Sequence, residues 1–183
     1  MKKPYRKNNI PFCALLVLST LLATGGCMPP ETVEYVDLEQ YAGLWYEIAR
    51  YPVPFDEDSV AVTAEYTLLD DGTVRVLNQG LVGDLNGPPT SIEGIARVAD
   101  PVSQAKLVVS FDRPGLELIE GDYWIIGLAE DYSHAVVSDP LRFTLYILSR
   151  TPMMDPVLYD AILQRLAERG FDPDRIEPTP QFP

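Results

Sequence analysis

The residues that could do chemistry in this chain of 183 are few: one histidine, His134, two cysteines, Cys13 and Cys27, and short acidic clusters. Side-chain catalysis needs a nucleophile beside a base, paired carboxylates, or ligands spaced for a metal. Asp70-Asp71 precedes Gly72 and joins two alternating runs, which is hairpin-turn chemistry. Asp56-Glu57-Asp58 follows Pro52 and Pro54 and reads as a solvated loop rather than a metal site. No Gly-rich phosphate loop or dinucleotide fingerprint occurs. These types and spacings point away from an enzyme, a metal or a cofactor. His134 remains the single candidate for a base or a haem ligand, and its position at a strand start favours a structural role.

The elements that would hold these residues are short and alternating. Strands are expected at Leu44–Tyr51, Val60–Leu69, Thr73–Val82, Ser91–Val98, Lys106–Asp112, Tyr123–Ala129, His134–Ser138 and Arg142–Arg150, with turn signals such as Gly87-Pro88-Pro89 and Arg113-Pro114-Gly115 between them. Eight such strands in up-and-down order give an all-β antiparallel barrel wide enough to hold one small ligand. Val36 to Tyr41 is expected as a turn into the first strand. One helix follows the strands: Asp155 suits its N-cap, Pro156 its first position and Gly170 the residue past its end. Leu158, Ile162 and Leu166 form an apolar stripe that should pack outside the barrel. The Pro-rich tail from Pro173 should run extended along the surface.

Three segments carry a family resemblance. Gly43-Leu44-Trp45-Tyr46-Glu47-Ile48-Ala49-Arg50 opens the first strand, Asp131-Tyr132-Ser133-His134-Ala135 fills a closing turn, and Leu148-Ser149-Arg150 ends the last strand. Together they resemble the three signature blocks of the lipocalins, across about Tyr41 to Phe171. The resemblance implies a barrel-closing structural set of Gly43, Trp45 and Arg150, with Trp45 inward and the Arg150 guanidinium across its ring. Such a cation–π contact contributes about 0.5–2 kcal/mol.

With Trp45 inward, strand periodicity sorts the other side chains. Glu47 and Ala49 share its face. The expected ligand lining is Val62, Ala64 and Tyr66; Val76 and Asn78; Ile92; Leu107, Val109 and Phe111; Tyr123 and Ile125; Val137; and Tyr146 and Leu148. Gly80, Gly94 and Gly127 should leave room, and the polar tips of Asn78, Tyr66, Tyr123 and Tyr146 could orient a head group. No inward cation near the mouth is identifiable, and together with what the lipocalin resemblance implies this favours lysophospholipid or loosely held fatty acid, with a bulkier apolar compound left open. A β-bulge would shift these parities.

The N-terminal region has a different character. Lys2, Lys3, Arg6 and Lys7 precede an apolar run, Phe12 to Ala23, too short to span a bilayer comfortably. Thr24-Gly25-Gly26-Cys27 then resembles a lipoprotein processing site. The expected organisation is a signal peptide over 1–26, a lipidated Cys27 with a tether over 27–35, and a lipocalin domain over 36–183. Cys13 would leave with the signal, so Cys27 has no disulfide partner. Met28 rather than aspartate after Cys27 points, by resemblance to Gram-negative lipoproteins, to the outer membrane and its periplasmic face. Residues 27–183 carry 10 basic and 27 acidic side chains, net −17. That charge argues against nucleic acid and against electrostatic docking on anionic membranes. The expected partners are one small hydrophobic ligand and the membrane reached through the anchor, and the sequence leaves a homodimer open.

Overall fold

Between Pro89 and Val98 the side chains of Ser91, Glu93, Ile95 and Arg97 are exposed while Gly94 and Ala96 are buried. This period of two is the mark of a strand with one face on a core. It recurs around the computed structural model, which describes residues 28–53, 58–111 and 120–183. The expected signal peptide, Cys13, Cys27, Pro54, Asp56, Glu57, Asp112 and Arg113-Pro114-Gly115 lie outside the described residues. Strands β1 (Gly43–Arg50), β2 (Ser59–Leu68), β3 (Val74–Val82), β4 (Pro89–Val98), β5 (Lys106–Phe111), β6 (Glu120–Leu128), β7 (His134–Ser138) and β8 (Leu145–Ser149) each pair antiparallel with the next. β1 pairs with both β2 and β8, so the sheet closes into a barrel.

Turn chemistry sets the strand ends. At β2–β3, Gly72 takes φ +82°, Leu69 N–H donates to Thr73 O, and the Asp71 carboxylate accepts from Thr73 N–H and Oγ1–H. β8 begins later than its sequence suggests. The Asp139 carboxylate accepts from the backbone N–H groups of Leu141 and Thr144 and from the Thr144 hydroxyl, which folds Arg142 to Thr144 into a turn rather than a strand.

Two helices flank the barrel. The one-turn α1 (Leu38–Tyr41) stands where the sequence suggests only a turn; the Asp37 carboxylate caps it by accepting from Glu39 N–H and Gln40 N–H. α2 (Pro156–Glu168) starts at Asp155, which accepts from Val157 N–H and Leu158 N–H, and is followed by Gly170 at φ +80°. Its buried residues Ile162 and Leu166 pack with Ala49, Ile126, Val136, Leu145 and Ile147 on the outer wall. Among the described residues no helix is long and apolar enough to cross a membrane.

Bulges redistribute side chains between the two faces. The β1–β8 register shifts between Glu47 and Ala49, so Glu47 pairs with Leu148 of the interior cluster while Ala49 pairs with Ile147 of the outer one. Ala49 therefore lies under α2 and not on the inner face with Trp45. Arg50, opposite Tyr146, returns to the inner face. A second shift in β2, between Val60 and Thr63 with Ala61 at φ 50°, parts β2 from β1 toward the end of the barrel away from α1.

The tail fills that parting. β9 (Glu177–Pro178) pairs with Arg50 and Ala49 of β1, Thr179 N–H donates to Ile48 O at 2.9 Å, and Ala61 N–H donates to Pro180 O at 2.7 Å. Gln181 Nε2 bridges Glu47 O and Val62 O at 2.8 and 2.9 Å. The tail is thus a ninth stave, hydrogen-bonded on both sides, rather than a ribbon lying over the surface.

Candidate ligand-binding site

The end of the barrel beside α1 is shut by one buried indole. Trp45 is fully buried, donates from Nε1 to Tyr41 O at 2.8 Å, and has the Arg150 guanidinium carbon 3.8 Å from its ring centroid. Arg150 Nη1 donates to Leu44 O at 2.8 Å, and Nη2 to Gln40 O, Tyr41 O and Ala42 O at 2.8, 3.1 and 3.0 Å. These carbonyls belong to the one-turn helix and its exit, which could not satisfy them internally. Gly43 makes the bend at φ +95°, a conformation in which a Cβ is strained. Gly43→Ala is expected to destabilise the fold by about 1–2 kcal/mol through that strain, read by urea unfolding. A Cβ there would sit 3.5 Å from Arg150 Nη1, so steric exclusion adds little.

Above this plug the interior is filled. Tyr41 comes in from α1 with its ring 4.9 Å from Trp45 and 5.6 Å from Tyr66. The Tyr123 hydroxyl meets both the Tyr41 and the Tyr66 hydroxyl, at 2.8 and 2.9 Å. Burial, the largest cause, raises the pKa of all three phenols and keeps them neutral. A void of about 20 Å³ among Leu38, Tyr41, Tyr66, Val76, Leu107 and Tyr123 has room for about one water. The expectation that Tyr66 and Tyr123 could present free tips to a head group is thereby corrected: their hydroxyls serve one another and Tyr41.

The residues expected as lining divide into two levels. Ala64, Tyr66, Val76, Leu107, Val109, Ile125, Val137 and Leu148 belong to the buried interior cluster, with Phe111, Tyr123 and Tyr146 packed against it. Most of these form the packed floor of the barrel rather than the wall of a void. Val62, Asn78 and Ile92 stand apart. Asn78 pairs with Ala64 and with Ile92, so the inward parity runs through both, yet these two and Val62 keep partial exposure. They belong to the half of the barrel toward the open end and are half-buried rather than buried.

The glycines expected to make room do not act alike. Gly80 borders Val62, and a Cβ there would meet Val60 O and Val62 Cγ2 at 3.2 and 3.3 Å. At Gly94 a Cβ would fall 2.9 Å from Phe111 Cδ1, so the space is taken by that ring. Gly127 pairs with the outer-wall residue Val136 after a register shift beyond Ile125, and so does not face the interior.

The upper level also holds charge. Arg50 Nη1 donates to Glu47 Oε1 at 2.6 Å, with side-chain exposures of only 7% and 5%. The Thr179 hydroxyl donates to the same oxygen at 2.6 Å, and Arg50 Nη2 donates to Ser59 O at 3.0 Å. An inward cation therefore exists, contrary to the expectation of none, and it is matched by a carboxylate. His134, by contrast, starts β7 with Nδ1 3.2 Å from Ser133 Oγ, and burial lowers its pKa. Among the described residues no three His, Cys, Asp or Glu side chains gather as a metal site.

A family model described as a lipocalin-like domain matches residues 36–181. The chain belongs to the lipocalin family. Temperature-induced lipocalin-1 of Arabidopsis thaliana is 40% identical over 82% of each chain. Outer membrane lipoprotein Blc of Escherichia coli K12 is 37% identical over 83% of this chain and 85% of its own. Apolipoprotein D of Mus musculus is 31% identical over 86% of this chain and 83% of its own. Among solved structures, insecticyanin of Manduca sexta superposes with a TM-score of 0.66 at 22% identity, covering 85% of both chains. This last likeness concerns the fold alone. Lipocalins typically bind small hydrophobic ligands and are generally binding or transport proteins rather than enzymes.

Proposed function

We propose that this lipocalin is a passive carrier for one single-chain lipid, a lysophospholipid or a fatty acid, in the cell envelope. The carrying observation is the second storey of the barrel: Val62, Asn78 and Ile92 keep partial exposure on the inner wall above a floor filled by three tyrosines. An acyl chain entering there gains about 0.8 kcal/mol for each buried CH₂, before ordering costs. The carboxylate of Glu47 already engages Arg50, which suits a zwitterionic head group better than a lone carboxylate. An acylated Cys27 at the periplasmic face of the outer membrane fits the relatives named outer membrane lipoprotein Blc, at 35–37% identity.

Native mass spectrometry of protein purified without detergent tests this reading. One bound lysophospholipid or fatty acid per chain, identified after extraction, is the expected result. No copurifying lipid, together with no uptake of added lysolipid, would end it.

A further inference from the structure

The loop between β7 and β8 is one of the loops at the mouth, since up-and-down order puts every second connection at the end opposite α1 and Arg150. Three exposed apolar side chains collect on or against it. Leu141 and Phe143 belong to the loop, at 57% and 68% exposure, and Met28 is held to it at 76%. The holding contact is Arg142 Nη1, which donates to Met28 O at 2.7 Å while the guanidinium lies over Phe171 at 5.4 Å. Arg142 does this at φ +59°, in the left-handed region that a side chain adopts at a cost. Its Nε is buried with no hydrogen-bond partner among the described residues.

From these contacts we infer that the mouth of the barrel faces the lipid surface, with Leu141 and Phe143 seated among the acyl chains beside the anchor. This rests on the reading of Cys27 as acylated. Residue 27 is bonded to Met28, so an acyl anchor there is tethered within one residue of a segment held to this loop. Contact of this kind is apolar, as it must be for a domain whose net charge from residue 27 on is −17. A carrier so placed exchanges its ligand directly with the bilayer, the cup opening onto the leaflet that supplies and receives it.

The test uses the mature acylated protein in vesicles of phosphatidylethanolamine and phosphatidylglycerol. Phe143→Cys, with Leu141→Cys as a second variant, is labelled with an environment-sensitive fluorophore. Val102→Cys, an exposed apolar site on the β4–β5 loop at the other end of the barrel, is the reference. Nitroxide-bearing lipids should quench the label at 143 or 141 roughly threefold more than the label at 102. Equal quenching on protein whose mass shows acylated Cys27 would overturn the proposal, and so would a mass showing Cys27 unmodified. Lysolipid uptake is measured on the same vesicles. Its loss with the quenching difference intact counts against the carrier reading and supports the orientation.

Discussion

Replacing Glu47 with alanine should destabilise the fold by about 3–5 kcal/mol, because it removes one member of a buried ion pair and leaves the other in place. Glu47 and Arg50 are 2.6 Å apart and almost completely buried, so little solvent is at hand to replace the lost carboxylate. The effect spreads to the tail, since the same oxygen accepts the Thr179 hydroxyl at 2.6 Å. Urea unfolding gives the magnitude, and limited proteolysis should show earlier cleavage within 177–183. The double change Glu47→Leu with Arg50→Met should recover much of the loss, because both charges of this pair are then removed. A single-variant loss below about 1 kcal/mol would show that the pair is not buried as described.

Arg150→Ala should cost about 2–4 kcal/mol, the sum of charge-assisted bonds to carbonyls that water then replaces only in part and the cation–π contact with Trp45. Arg150 serves the carbonyls of Gln40, Tyr41, Ala42 and Leu44 at 2.8–3.1 Å, and its loss frees α1 from the barrel end. Freed of α1, Tyr41 no longer holds Tyr123, so the floor loosens as well. Red-shifted emission from Trp45 would accompany the loss. Arg150→Lys should recover only a minority of it, because a point charge cannot reach several carbonyls in one plane. Unchanged stability and emission would mean that the closed end holds without this residue.

The strands and α2 were legible because period-two alternation, turn residues and helix caps act locally. Trp45, Arg150 and Gly43 were legible because they sit in motifs whose wording travels with their geometry. Ala49, Gly127 and Arg50 were not, and all three lie within two residues of a bulge, where one extra residue exchanges the faces of a strand. Nothing in Ile48 or Ile126 announces that extra residue. The filled floor was missed for another reason. Tyr41 reaches the interior from outside the strand pattern, and its partnership with Tyr66 and Tyr123 spans 25 to 82 positions, beyond any local signal. The ninth stave escaped likewise: Pro178 and Pro180 suggest exclusion from a sheet, yet Pro180 offers its carbonyl to Ala61 N–H and Thr179, between the two prolines, donates its N–H to Ile48 O.

The measurement that bears most directly on the upper cup is a titration of a fluorescent acyl probe into the detergent-free domain, with lysophospholipid as competitor and Ile92→Trp as the blocked form. Ile92 is on the inner wall at the upper level, and an indole there would take the space an acyl chain needs. Saturable one-to-one uptake, displaced by lysophospholipid and weakened about tenfold or more by Ile92→Trp, is the expected outcome, equivalent to about 1.4 kcal/mol or more of binding. Equal affinity in both forms, or no saturable uptake by the unaltered protein, would contradict a ligand site in the upper barrel.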